Sequence, residues 1–216
     1  MQPLQPEEDA RYRRAMGNLL VLYTQVDQFI MEACAARIAA APDDEARFGL
    51  AKQVGDECRH VGIQQRWMRE FGVETTPLIS DQALDQLKQV FAGLDWVDYL
   101  TDLYLVIEAL GSQAVEELVP LTDPGTRESL RVPLEDELDH VYFGLSQLRR
   151  ALAALPPAER EARLQAIPGR IEALVGHFGE LGLPVQDWFA DVGCDPQWLV
   201  SRLHHRRDAL LDSLAA

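Results

Sequence analysis

The sequence predicts an all-α chain, a bundle of four long helices followed by shorter C-terminal helices. Three observations carry this: helical periodicity almost throughout, proline and glycine breaks between long segments, and no alternating β-branched run long enough for a sheet. The first helix is expected from about Glu7 to Ala41, stopped by Pro42. Asp43 or Asp44 then caps a second helix ending near Gly72, and GVETTPLISD forms a loop. A short helix at about Gln82–Ala92 breaks at Gly93 and leads to a long one from about Asp95 to Val119. After the 120–125 turn, a fourth long helix runs over about Thr126–Leu155, with Pro133 expected to bend it. Residues 157–182 and 195–214 read as two further helices around a loop holding Pro184 and Gly193. The 216 residues form one expected domain: a bundle at about 7–155 with accessory helices at about 157–214.

Composition narrows the function classes. Thirty-five acids against twenty bases leave a net charge of −15, which argues against a nucleic-acid footprint. No apolar run reaches the roughly 20 residues of a membrane span, and the acidic N-terminus does not resemble a secretory signal. Cys34, Cys58 and Cys194 are far apart with no CxxC, so neither a disulfide framework nor a zinc finger is expected. A cytoplasmic location is the expectation. The cluster Arg202–His204–His205–Arg206–Arg207 reads as an exposed helix face.

Two stretches carry chemistry. Asp56-Glu57-Cys58-Arg59-His60 and Asp136-Glu137-Leu138-Asp139-His140 both read Asp-Glu-x-x-His, 80 residues apart. Glu and His three apart share a helix face and can reach one metal. The preceding aspartate stands one turn before each histidine, so Asp56 is expected to hold the His60 ring and Asp136 the His140 ring. Glu57 falls on an apolar stripe with Leu50, Val54, Val61 and Met68; Glu137 does so with Leu130, Leu134, Val141 and Leu148. Carboxylates on a buried stripe need a cation or a partner.

Antiparallel geometry points to the remaining ligands. Residues equidistant from a tight turn stand at equal height. Asp27 and Glu57 are each fifteen residues from Pro42, and Asp27 shares a stripe with Leu20, Tyr23, Ile30 and Cys34. Glu32 fits the turn test worse and is expected either to face solvent or to support a ligand from behind. The midpoint of Glu108 and Glu137 falls in the second turn, whereas Glu116 and Glu117 read as surface charges. Asp27, Glu57, His60 thus repeat as Glu108, Glu137, His140, two hairpins supplying three ligands each, with Glu57 and Glu137 expected to bridge. Four carboxylates and two histidines inside a four-helix core are the di-metal scheme of ferritin-like proteins. The donor set suits two iron ions, with manganese the alternative.

The chain resembles the ferritin-like di-iron oxygenases, in particular the phenylacetyl-CoA epoxidase catalytic subunits. Leu50-Ala51-Lys52 … Asp56-Glu57 … His60 carries the likeness, with Trp96-Val-Asp98 leading to Leu105-Val-Ile-Glu108 as a weaker part, over roughly residues 15–150. Asp-Glu-x-Arg-His is also similar to the bacterial multicomponent monooxygenases, although Asp139 stands where those enzymes carry arginine. The first-helix ligand is Asp rather than the usual Glu. A ribonucleotide-reductase small subunit would carry its radical tyrosine four residues after the first histidine, where this chain has Gln64. The resemblance implies a ferritin-like four-helix bundle that activates O₂ to hydroxylate or epoxidise a small organic substrate, such as an aromatic acid or its CoA thioester. With no flavin, nicotinamide or iron–sulfur motif, a separate reductase would supply electrons. A homo-oligomer or a related ferritin-fold partner subunit is compatible. The competing classes are a ferroxidase and a non-catalytic scaffold subunit. Tyr23, Tyr104 and Tyr142 fall near the site by spacing. Gly111 and Gly144 each stand one turn beyond a ligand, where a glycine serves either a substrate cavity or close helix packing.

Overall fold

The structure, a computed structural model, describes residues 6–73 and 76–215. Among the described residues there are helices and turns and no strand. Helix α1 (Pro6–Arg37) ends in a 3₁₀ turn, Ile38–Ala40, and α2 (Asp44–Phe71) begins where the Asp43 carboxylate accepts from the Ala46 N–H. Gly72 closes α2 at φ 66°, a left-handed value that favours glycine. Ser80 caps α3 (Asp81–Gly93), and Asp95 caps α4 (Trp96–Leu100). The rod then passes without a break through a π-helical stretch, Thr101–Glu108, into α5 (Ala109–Leu118). Asp123 caps α6 (Pro124–Ala153), which continues through Pro133. Helices α7 (Pro157–Gly179), α8 (Val185–Asp191) and α9 (Pro196–Ala215) complete the chain.

Two of these features escape the sequence reading. The expected helix from Asp95 is interrupted in register, with the Ala109 N–H bonding to the Tyr104 carbonyl five residues back. All eight residues of this wide turn are buried, so tertiary packing overrides the ordinary register. The expected 183–194 loop contains α8, whose seven residues are too few to show a period; buried Trp188 and Phe189 anchor it.

Around the bundle α1 packs on α2, α2 on α6, and α6 on the α4–α5 rod. Helices α3 and α8 cover α1, α7 lies on the π-helical stretch and α9 on α5. Two glycines let α6 approach its neighbours. A Cβ at Gly144 would stand 2.0 Å from Tyr104 Cγ, and one at Gly49 would stand 2.1 Å from Phe143 Cε2. The Tyr104 and Phe143 rings meet edge to face at 5.6 Å. Gly144 therefore serves close packing. Gly144→Ala should destabilise the fold by about 1–3 kcal/mol, because the buried ring opposite must move; a denaturant titration with an unchanged midpoint would refute this.

Candidate metal centre

The six proposed ligands converge from four segments. Asp27 comes from α1, Glu57 and His60 from α2, Glu108 from the end of the π-helical stretch, and Glu137 and His140 from α6. They form two sets whose candidate donor atoms lie within 4.8 Å of one another: Asp27, Glu57 and His60, and Glu57, Glu108, Glu137 and His140. Glu57, fully buried, belongs to both. Glu137 belongs to the second set and lies close enough to the first for its charge to act on Asp27 and Glu57. Glu32 is exposed and pairs with Lys88 at 2.9 Å, and Glu117 holds Arg202 at 2.7 Å. Tyr142 is 76% exposed and stands away from the site.

The histidine rings are held across the helix pair. His60 Nε2 lies 2.8 Å from Asp136 Oδ2, and His140 Nε2 lies 3.2 Å from Asp56 Oδ2. This corrects the sequence expectation, in which each aspartate holds the histidine of its own motif. Side chains on a helix lean toward its N-terminus, so a short aspartate leans away from a histidine one turn later. Helices α2 and α6 run antiparallel at this point, with 56 opposite 140 and 60 opposite 136. Two copies of one motif then exchange partners. Arg59 ties the two aspartates together, at 3.1 Å from Asp56 and 2.5 Å from Asp136, and Lys52 bonds to Asp56 at 2.9 Å. Burial works to raise both aspartates, but Lys52 and His140 on one side, and His60 and Arg59 on the other, hold them below the usual carboxylate range.

Amides hold the carboxylates, a feature the sequence reading missed. Gln64 Nε2 donates to Asp27 Oδ2 at 2.7 Å, and Gln64 Oε1 accepts from the Thr24 hydroxyl at 2.8 Å. In the other half, Gln53 Nε2 donates to Glu108 Oε1, and its Oε1 accepts from the Tyr104 hydroxyl at 2.6 Å. Gln53 stands one turn before Glu57 and Gln64 one turn after His60. That spacing on the Glu57 stripe was the available signal, hidden because amides carry no charge.

The inner face is short of positive charge. His60 Nδ1 contacts Glu57 Oε2 at 3.1 Å. His140 Nδ1 lies 3.3 Å from Glu57 and 3.7 Å from both Glu108 and Glu137, yet hydrogen-bonds to none. Glu108 Oε2 and Glu137 Oε2 are likewise buried without a partner. Burial, then neighbouring carboxylates, push Asp27 and Glu137 well above the ordinary range, and burial raises Glu57. Burial pulls the imidazoles down, but the carboxylates prevail and hold His60 at about 9 and His140 at about 12. Orphaned acceptors facing an orphaned ring nitrogen are the donor set of a cation site, so the residues fit a metal.

A pH dependence follows for the metal-free protein. Raised acids and raised histidines both make the folded state bind more protons than the unfolded one. The carboxylates' share is present below their unfolded values of about 4 and the histidines' share below about 6.5, and each is lost as pH rises through the folded values. Metal-free protein should therefore lose melting temperature from about pH 5 through about pH 9, where His60 gives up its proton, and go on losing it above that while His140 stays charged. Added Fe(II) or Mn(II) should remove most of that slope, and a flat profile without metal would contradict the electrostatics described.

No protein-family model matches the chain, and no curated protein matches its sequence. Solved structures do match. A Synechococcus protein with aldehyde deformylating oxidase activity superposes at a TM-score of 0.71 and 16% identity, over 96% of this chain and 92% of that one. A point mutant of an R2-like ligand-binding oxidase with an aerobically reconstituted Mn/Fe cofactor reaches 0.66 at 15% identity, over 97% and 82%. The fold is the ferritin-like bundle. At these identities the likeness speaks for the fold alone.

The ferritin-like bundle is open on one side of the site. A cavity of about 1050 Å³ separates α1 from the π-helical stretch and α5, and α7, α8 and α9 complete its walls. Asp27, Glu108 and Glu137 form part of its lining, while Val26, Ile30, Val106, Leu134 and Phe178 contribute apolar surface. His204 and Arg207 of α9 also reach it. Of the two glycines singled out by sequence, Gly111 lines this cavity and Gly144 does not.

Proposed function

We propose that the chain is an O₂-dependent di-metal oxidase acting on a small, largely apolar organic substrate. The observation that supports it best is the pair of ligand sets sharing Glu57 and meeting an apolar cavity. Asp27, Glu57 and His60 would hold one ion, and Glu57, Glu108, Glu137 and His140 the other. Two irons, or the Mn/Fe pair named for the structural neighbours, suit these oxygen and imidazole donors. Bound there, such a pair supplies the electrons and Lewis acidity for O₂ activation. The protein's part is ligation, orientation and exclusion of water. Asp56, Asp136, Gln53 and Gln64 fix the ligand side chains, and the apolar walls keep a substrate close to Glu108 and Glu137. Oxygen insertion, as hydroxylation or epoxidation, is the reaction this reading favours. An aromatic acid or its CoA thioester is the substrate class that the epoxidase resemblance suggests. Electrons come from a separate reductase. No described helix is long and apolar enough to cross a membrane.

The test is metal-loaded protein supplied with a chemical reductant, O₂ and a panel of apolar acids, aldehydes and arenes. O₂ uptake matched by an oxygenated organic product is expected. Repeated oxidation of Fe(II) to a ferric mineral, with no organic product, would replace this reading with a ferroxidase.

A further inference from the structure

The geometry points to Gly111 as the residue that sets how wide a substrate the cavity admits, with the substrate's broad end lodged beside Glu108. This rests on the organic-substrate reading above and names the side of the site at which the substrate sits.

Gly111 lies inside α5, where glycine weakens a helix relative to alanine, so its presence calls for a spatial reason. Close packing is not that reason. A Cβ at Gly111 would meet no atom within 4 Å apart from its own helix backbone and chain neighbours, whereas Gly144 faces the Tyr104 ring. The open space in front of Gly111 is the cavity, and Glu108 stands one turn earlier on the same wall.

The internal repeat sharpens this. Ile30 follows Asp27 by three residues, as Gly111 follows Glu108 by three. Both line the cavity, and Ile30 is buried. One half of the repeat thus fills the position with a branched side chain, and the other leaves it empty. The cavity reaches both sets, through Asp27 on one side and Glu108 and Glu137 on the other, and the missing side chain at Gly111 leaves extra room on the Glu108 side. Gly111→Ile would give both halves the same side chain and close that space.

The probes are toluene and the wider naphthalene, titrated calorimetrically into metal-loaded protein without O₂, so that binding is read apart from turnover. The wild type should bind both. Gly111→Ile should weaken naphthalene by about tenfold or more and toluene by less than about threefold, since steric loss in an apolar pocket falls on the larger ligand. Gly111→Ala, which keeps the fold if the isoleucine variant does not, should weaken naphthalene selectively by a smaller factor. It should also raise the melting temperature by about 2–4 °C, the helix gain expected for a chain of this size. Unchanged naphthalene binding in both variants, equal losses for both probes, or a lower melting temperature in Gly111→Ala would overturn the assignment of Gly111 while leaving the organic site intact. If the wild type bound neither probe, the organic-substrate reading itself would fall, and this inference with it.

Discussion

Glu57→Ala should reduce bound metal from two ions per chain to fewer than one and abolish O₂ consumption. Glu57 is the residue common to both ligand sets and has no solvent exposure, so its loss takes a carboxylate from both positions at once. Truncating Asp27 or Glu108 instead should spare part of the metal content, because each serves one set. The same residue should act in the opposite direction without metal. Glu57 is buried among Asp27, Glu137 and the two histidines, and its carboxyl is raised by that burial. Glu57→Gln removes a charge that costs free energy in metal-free protein. Metal-free Glu57→Gln should therefore melt higher than metal-free wild type, while metal should stabilise the wild type far more than the variant. Metal analysis combined with melting curves in chelator and in Fe(II) reads both signs. Two ions retained in Glu57→Ala would show that Glu57 is not shared.

The second large effect concerns the exchanged aspartates. Asp136→Ala removes the partner of His60 Nε2, and with it the Arg59 contact across the helix pair. Metal affinity should fall by roughly 10–100-fold at the position that uses His60, although Asp136 belongs to the other motif. Asp56→Ala should act on the His140 position in the same way. Selective isotope labelling of the histidine rings separates the outcomes. Asp136→Ala should shift the His60 resonances more than those of His140, and the reverse pattern would restore the pairing expected within each motif.

Much of this was legible in the chain because it is encoded locally. Glu57 on the Leu50–Met68 stripe marks an inward carboxylate, and equidistance from Pro42 finds Asp27 as its neighbour. The doubled motif exposes the repeat that brings in Glu108. The parts that stayed hidden depend on what lies across the bundle. Asp56 looks equally suited to His60 and His140 until α2 and α6 are known to be antiparallel. Gln53 and Gln64 have the right spacing, yet nothing local distinguishes a buried amide partner from a surface one. The π-helical stretch is an ordinary apolar run, Leu103–Ile107, and its wide turn is set by burial on every side. Gly111 and Gly144 are alike in sequence context. Only the Tyr104 ring opposite one and the cavity before the other tell packing from access.

The central claim is that these six side chains hold two metals through a shared Glu57. Anomalous diffraction at the iron and manganese edges, on crystals of metal-loaded protein, tests it most directly. Two peaks are expected about 3.5–4 Å apart, the usual separation of a two-metal site. One should lie against Asp27, Glu57 and His60, and the other against Glu57, Glu108, Glu137 and His140. A single peak, or ions bound only at exposed carboxylates such as Glu32 and Glu116, would contradict it.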